Sequence, residues 1–392
     1  MGPLKGIRVL DLSRILAGPW ATQLLADYGA TIWKIERPGV GDDTRHWGPP
    51  FLKDRQGNDS AESAYYLSTN RGKKSVAVDI TTASGQAIIR QLAARADILV
   101  ENFKVGGLKK YGLDYTALSA EHPGLIYCSI TGFGQTGPDA GLAGYDAMVQ
   151  ARGGLMSITG ERDGLPGAGP QKVGVAVADL MAGMYAVSAI LAALHHRDKS
   201  GEGQQIDLAL LDTQVAWLAN QNINYLISGA VPLRQGTAHP NIVPYQAFPT
   251  RDGFLMLAVG NDRQFAACCK VLGQPALARD PRFTTNRQRV KCREQLIPLL
   301  EPLFRQNTTA EWQRLLAAEQ VPCGPINDVK QVFSDPQVLS RGMRLDLSHP
   351  VAGQVPQVAN PVKFSCTPVE YQGAPPLLGA DTETVLDWLQ EE

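Results

Sequence analysis

Through the first 130 residues, short runs of apolar, largely β-branched positions alternate with stretches in which apolar residues recur at helical spacing. The runs IRVLDL, TIWKIE, KSVAVDI, DILVENF and GLIYCSIT predict strands, and PWATQLLADYG and GQAIIRQLAARA between them predict helices. Strands separated by helices of that length predict right-handed βαβ crossovers and a parallel sheet, so the expected fold is α/β with a Rossmann-like large domain. From 132 to 172 the texture turns to Gly, Pro and Asp, and an almost wholly apolar stretch follows, VGVAVADLMAGMYAVSAILAALHH, residues 173–196. After it come a short strand, QQIDLAL, and a long helical pattern, LDTQVAWLANQNINYLISG, expected to form a linker helix over 206–229. The segment GTAHPNIVPYQAFPTRDGFLMLAVG opens a strand pair followed by helices such as REQLIPLLEPLF and TAEWQRLLAAEQ, which predicts a smaller α+β domain over 230–325. The tail carries RGMRLDLSHP, ANPVKFS and a final helix, DTETVLDWLQ, and is expected to return to the large body, so that 1–205 is completed by 330–392.

One carboxylate, Asp179, interrupts the apolar stretch where the Gly-rich run gives way to helix. A short acid at a helix start is a good cap for the first free amides, and the local pattern favours that role. A catalytic nucleophile is the other reading.

Composition narrows the function classes. A chain of 392 residues exceeds the roughly 250 to 300 residues at which single cores stop growing, which supports two domains. The 37 basic and 38 acidic side chains balance to a formal charge of -1, which argues against nucleic-acid and membrane-surface partners and leaves room for a local basic patch on a small anion. The cysteines Cys128, Cys268, Cys269, Cys292, Cys323 and Cys366 form no C-x-x-C pair and have no matching His spacing, so no metal site or disulfide framework is indicated and reduced thiols are expected. The opening MGPLKGIRVLDLS lacks signal-peptide or transit-peptide character, and no apolar run is expected to be long enough to span a membrane, which together predict a cytoplasmic protein.

The string GFGQTG, Gly132 to Gly137, matches G-x-G-x-x-G after a plausible strand. The dinucleotide fingerprint requires its last glycines to open a helix whose amides face a pyrophosphate. Gly137 instead runs into PDAGLAG without apolar periodicity, and the first βαβ turn, SRILAGPW, lacks the glycine triplet. A nicotinamide enzyme is disfavoured.

Six strings, in order and spread over essentially the whole chain, point elsewhere: LDLSRILAGPWATQLLADYGATIWKIERPGVGDDTRHWGPP, LVENFKVGGLKKYGL, YCSITGFGQTGP, GYDA, the Asp179 segment and VPCGPIND. Together they resemble the class III CoA-transferases, the family of formyl-CoA transferase and of the carnitine and bile-acid CoA-transferases. The resemblance implies that Asp179 is the nucleophile that carries the acyl group, and then CoA, as mixed anhydride and aspartyl-CoA thioester. It implies acyl-CoA and a small carboxylic acid as substrates, a coenzyme A thioester as co-substrate with no permanently bound cofactor, and a homodimer whose subunits interlock like links of a chain. Apolar surroundings suit such intermediates because water must be kept from them.

The resemblance also assigns candidate residues. Arg37 of IERPG is expected at the adenine end of CoA, Asn102, Phe103 and Lys110 along the nucleotide, and Lys73 or Lys74 near phosphate, with a solvated surface charge as the alternative for each lysine. Trp47 and Phe133 are expected to line the acyl site, with core packing as the alternative. Amides of the loop from Gly236 to Pro240 are expected to donate to the oxyanion. Leu16 stands where formyl-CoA transferase has a glutamine, which disfavours a formyl or oxalyl group. The same family holds acyl-CoA racemases, but none of His46, His122, His195, His196, His239 and His349 sits where a second proton-transfer group would be sought. A non-catalytic CoA-binding protein is the other alternative.

The strings GDDTRHWGPPF, CSITGFGQTGP and GTAHPNIVPYQAF are most similar to the subset of the family that moves CoA from succinyl-CoA to glutarate. A dicarboxyl group leaves one carboxylate to neutralise on burial. His239 is the first candidate, then Arg45 and Arg14, with Arg152 fourth; loop bracing or CoA binding are the alternative roles.

Overall fold

A computed structural model describes residues 1–391 of the chain. The chain divides into two units, one built from Met1–Leu155, Lys172–Ala230 and everything from Pro336 onward, the other from Met156–Gln171 and Val231–Asp335.

The first unit is organised around a parallel sheet of six strands: β1 (Arg8–Asp11), β2 (Thr31–Glu36), β3 (Lys73–Ala77), β4 (Ile98–Glu101), β5 (Ile126–Thr131) and β6 (Gln205–Ala209). Their spatial order is β3-β2-β1-β4-β5-β6, so the winding reverses between β1 and β4. Both faces are covered, and period-two alternation sorts the side chains. Val9, Ile98 and Ile126 enter one core with Leu25, Ala182 and Ile190, whereas Leu10, Leu99 and Tyr127 enter the other with Ile89, Leu92 and Val385. Each fully buried aliphatic side chain contributes about 1.5 to 3 kcal/mol relative to exposure.

Four helices matter for the site: α1 (Ala17–Asp27), α2 (Asp146–Arg152), α3 (Val177–Ser200) and α4 (Leu210–Trp217). Helix α3 is the apolar stretch of the sequence, and it packs on α1 through small residues, Ala178, Ala182 and Ala186. Gly183 lets the two backbones approach, since a Cβ there would lie 2.7 Å from the Ala17 carbonyl oxygen. Contrary to the sequence expectation, α3 is long and apolar enough to cross a bilayer by length and composition, with a mean hydropathy of 1.8; half of that apolar window is buried inside the fold. The tail helix Thr382–Glu391 places Val385 and Leu389 in the second core, and Asp381 accepts from the Ser75 amide at the edge strand.

The stretch 206–229, expected as one linker helix, contains most of β6, then α4, then a second helix, Asn220–Ser228, with a break at Ala219 (φ 46°). The second unit holds an antiparallel sheet ordered Cys323–Pro325, Phe254–Ala258, Tyr245–Pro249. Its core joins Phe248, Leu255 and Leu257 to Phe265, Phe304 and Leu316 from the helices. The loop 156–171 was not expected there; the Gly236 amide binds the Gly160 carbonyl at 3.0 Å, and Arg234 reaches the Glu161 carbonyl and the Asp163 carboxylate.

Candidate active site

Asp179 lies in the first turn of α3, yet it is not the residue that caps it. The N-cap position is Ala176, with no side-chain acceptor of its own. The acceptor comes from α2: Asp146 Oδ1 takes the Ala178 amide at 2.8 Å and the Asp179 amide at 3.4 Å. Gln150, one turn further along α2, donates to Asp146 Oδ2 at 2.7 Å and accepts the Val173 amide at 2.9 Å, tying down the run that enters α3. With its helix capped from outside, Asp179 presents its carboxyl to a cavity of about 180 Å³. Burial first, and then the Asp146 charge, push that carboxyl up to about 7.

The cavity opens at the carboxyl ends of the strands, where the winding of an α/β sheet reverses and ligands bind. Arg14, Ile15 and Leu16, on the turn after β1, line it together with Asn102 and Phe103 after β4. The two turns are clasped: the Arg14 amide donates to Asn102 Oδ1 at 2.9 Å, and Asn102 Nδ2 donates to the Arg14 carbonyl at 2.7 Å. A second cavity of about 200 Å³ shares Arg14 and Phe103 with the first and adds Arg37, Val40, Asp79 and Ile80. The Arg14 guanidinium lies 5.6 Å from the Phe103 ring centroid and pairs with Asp43 at 3.0 Å.

Of the residues singled out in the sequence, Asp179, Arg14, Leu16, Arg37, Asn102 and Phe103 therefore line these two cavities, which have Arg14 and Phe103 in common. Trp47 is 45% exposed and stands edge-on to Tyr65 with ring centroids 5.2 Å apart. Tyr65 feels the charges of both Asp179 and Asp146, which, after burial, raise its phenol above the usual value. Phe133 is buried next to the cavity-lining Gly132, with the Arg152 guanidinium 4.6 Å from its ring and Arg152 itself paired to Asp139. Lys110 lies over the Tyr111 ring at 4.6 Å and lines neither cavity.

Several expectations are corrected. The Lys73 ammonium is buried, donating to Asp11 at 3.2 Å, to the Pro19 carbonyl and to Asn70, so it holds the fold rather than a phosphate. Lys74, next on β3, points to the other face and lines a hollow with Arg8, Thr31 and Trp388 at the amino ends of the strands, opposite the cavities. Arg45 is 4% exposed and saturated by Glu36, Glu62 and the Pro376 carbonyl, which leaves nothing for a substrate carboxylate. His239, in the second unit, is no cation at neutral pH: burial and the Arg293 charge hold its pKa below the ordinary value, and its Nδ1 accepts the Asn241 amide at 3.0 Å. Its Nε2–H is thus a neutral donor. The Gly236 amide is already used by Gly160, and those of Ala238 and His239 by Gln235 and Tyr245, so the oxyanion expectation for this loop narrows to the Thr237 amide.

Sequence reasoning missed Asp146 and Tyr65. The string GYDA carried Asp146 as part of a pattern without a role; nothing in AYYLS marked Tyr65.

Comparison with known proteins is consistent over the full length. A family model described as CoA-transferase family III matches residues 4–382. A succinate–glutarate CoA-transferase of Agrobacterium fabrum is 52% identical over 393 residues, covering 99% of this chain and 96% of the relative. The succinyl-CoA:glutarate CoA-transferase of Homo sapiens is 46% identical over 384 residues, covering 98% and 85%. The crystal structure of a CAIB/BAIF family protein from Brucella suis superposes with a TM-score of 0.87 at 48% identity, covering 99% of each chain.

Proposed function

The chain belongs to CoA-transferase family III, and from that premise we propose that it moves CoA from succinyl-CoA to a short dicarboxylic acid such as glutarate, with Asp179 as the covalent carrier. The ionised Asp179 carboxylate attacks the thioester carbonyl of succinyl-CoA, giving a succinyl–aspartyl anhydride and CoA thiolate. The thiolate attacks the aspartyl carbonyl, releases succinate and leaves CoA on Asp179. The glutarate carboxylate then attacks this aspartyl thioester, and the freed thiolate returns to the glutaryl carbonyl of the new anhydride. Glutaryl-CoA leaves and Asp179 is regenerated, so no thioester energy is lost to water.

The observation that carries this reading is the division of labour between two acids. Asp146 satisfies the amides at the start of α3, which frees the Asp179 carboxyl for the cavity. An apolar helix and buried neighbours limit water around the intermediates. Arg37 and Phe103, in the second cavity, supply a cation and a flat apolar face of the kind that a nucleotide needs. For the distal carboxylate, Arg14 is the cation at hand, already accustomed to the Asp43 carboxylate. Within the second unit, the loop from Gly236 to Pro240 keeps two donors free of the partners described above, the His239 Nε2–H and the Thr237 amide. Leu16 in the cavity wall fits an acyl chain better than a formyl or oxalyl group.

We also infer the interlocked homodimer. Large apolar side chains stand exposed in each unit, among them Leu226 and Ile227 in the first and Val231 and Leu233 in the second, each at least 66% exposed. Surfaces of this kind call for a partner, and an interlocked pair would cover far more area than a standard contact.

The test is an exchange assay with succinyl-CoA against a panel of acids from C4 to C6. Preferential formation of glutaryl-CoA supports the proposal. Preference for monocarboxylates such as butyrate, or epimerisation of a 2-methylacyl-CoA in place of transfer, would overturn it.

A further inference from the structure

Ile15 has φ 72°, in the left-handed region that β-branched residues enter only under constraint. It lies between Arg14 and Leu16 on the turn from β1 into α1, and all three side chains line the Asp179 cavity. Two side chains hold this turn: Asn102 clasps the Arg14 amide and carbonyl, and a carboxylate takes the next amide along. The Ile15 amide donates to both oxygens of Asp42, at 3.2 and 3.3 Å.

Asp42 is held in turn. The ammonium of Lys34, fully buried, donates to Asp42 Oδ2 at 2.9 Å and to the Ser13 carbonyl at 3.1 Å. A single ammonium thus grips the turn two residues before Ile15 and also the acceptor of the Ile15 amide. Thr44 completes the shell, its amide and hydroxyl both donating to Asp42 Oδ1 at 3.0 and 2.7 Å. Donors thus approach Asp42 from three directions, which only an ionised carboxylate can satisfy with acceptors on both oxygens.

We propose that Asp42 is a positioning residue for CoA transfer: acting through the Ile15 amide, with Lys34 beneath it, it holds the strained turn that aims Arg14 and Leu16 at the Asp179 cavity. The proposal rests on reading that cavity as the transfer site. Asp42 need not contact the reacting atoms. Its effect passes through the backbone of Ile15: Asn102 still clasps Arg14, and without Asp42 the Ile15 amide loses its acceptor, so the turn relaxes toward a negative φ and Leu16 shifts relative to Arg14. Because Asp42 and Lys34 also border the second cavity, the effect is read on kcat at saturating acyl-CoA.

The experiment is a rescue. Asp42→Asn keeps an acceptor for Thr44 but turns a donor toward Lys34 and Ile15, so it is paired with Lys34→Met to avoid leaving a buried ammonium unpartnered. The double variant should lose about tenfold to a hundredfold in kcat, as small displacements near a reacting centre do. Adding Ile15→Gly, which occupies the left-handed region without a clamp, should recover most of that loss when measured against Ile15→Gly in the otherwise native chain, which sets the ceiling because the Ile15 side chain itself lines the cavity. If the double variant is unfolded by circular dichroism, the triple variant must fold and turn over. A double variant with native kcat, a loss that Ile15→Gly does not recover, or a triple variant that stays unfolded overturns the role. The assay uses whichever acid pair the native enzyme accepts; a native enzyme idle with every pair overturns the reaction itself, whereas an unrescued variant beside an active native enzyme overturns only the positioning role.

Discussion

Asp146 caps the helix that presents Asp179: its Oδ1 takes the Asp179 amide at 3.4 Å and the preceding Ala178 amide at 2.8 Å. The acid at the start of the helix and the acid that serves the helix are different residues, and their charges oppose each other. Asp146→Asn should keep the cap, since Asn accepts as well as Asp there, and remove the like charge. With Asp179 as the proposed nucleophile, which attacks only when ionised, the acid limb of the kcat/KM profile is expected near pH 7 in the native enzyme and should move to lower pH. Asp146→Ala loses the cap as well, so thermal or urea unfolding should show a destabilisation of about 0.5 to 2 kcal/mol.

The raised pKa of Asp179 also fixes how its removal changes stability with pH. The folded state holds the proton up to about 7, whereas an unfolded Asp releases it near 3.9. Folding is therefore opposed by this group increasingly as pH rises from about 4 to 7, and fully above that range. Asp179→Asn should raise the melting temperature at pH 8 and leave it unchanged near pH 4. Equal shifts at both values would contradict the buried, protonation-linked carboxyl.

Adjacent lysines should behave in opposite ways. Lys73→Ala leaves Asp11 buried without its partner, which costs about 3 to 5 kcal/mol by analogy with other broken buried pairs. Lys74→Ala should change stability by no more than about 0.5 kcal/mol and leave the KM for succinyl-CoA unaltered. A KM for CoA that rises with Lys74→Ala would restore its phosphate role.

Arg37→Ala should raise the KM for succinyl-CoA, and the effect should weaken with added salt, because Arg37 lines the second cavity without a place in the buried ion pairs beneath it. Arg45→Ala should instead lower the folded yield, since Glu36 and Glu62 would lose their guanidinium. Sizing and unfolding curves separate the two.

Much of this architecture was legible in the sequence because it follows from local pattern. The strands and helices around the large sheet were readable, since alternation and helical spacing are properties of neighbours in the chain. The site was readable where a motif lies at the carboxyl end of a strand, as with Asn102 and Phe103 after β4. What was illegible depends on which distant segments meet. Asp146 reaches Asp179 from 33 residues away. Successive residues on β3 face opposite sides, so which of Lys73 and Lys74 is buried depends on packing that no lysine advertises. Arg45 looked like a ligand for an anion, and it is one, but the anions are Glu36 and Glu62.

The central claim is that Asp179 carries first the acyl group and then CoA. Incubating the native enzyme with succinyl-CoA alone, quenching with hydroxylamine or borohydride, and mapping the modified peptide by mass spectrometry tests it directly. The label should fall on Asp179, be absent from Asp179→Asn, and disappear from the native enzyme when free acid in excess completes the exchange. A label on another side chain, or full transferase activity in a verified and non-deamidated Asp179→Asn enzyme, would contradict the account.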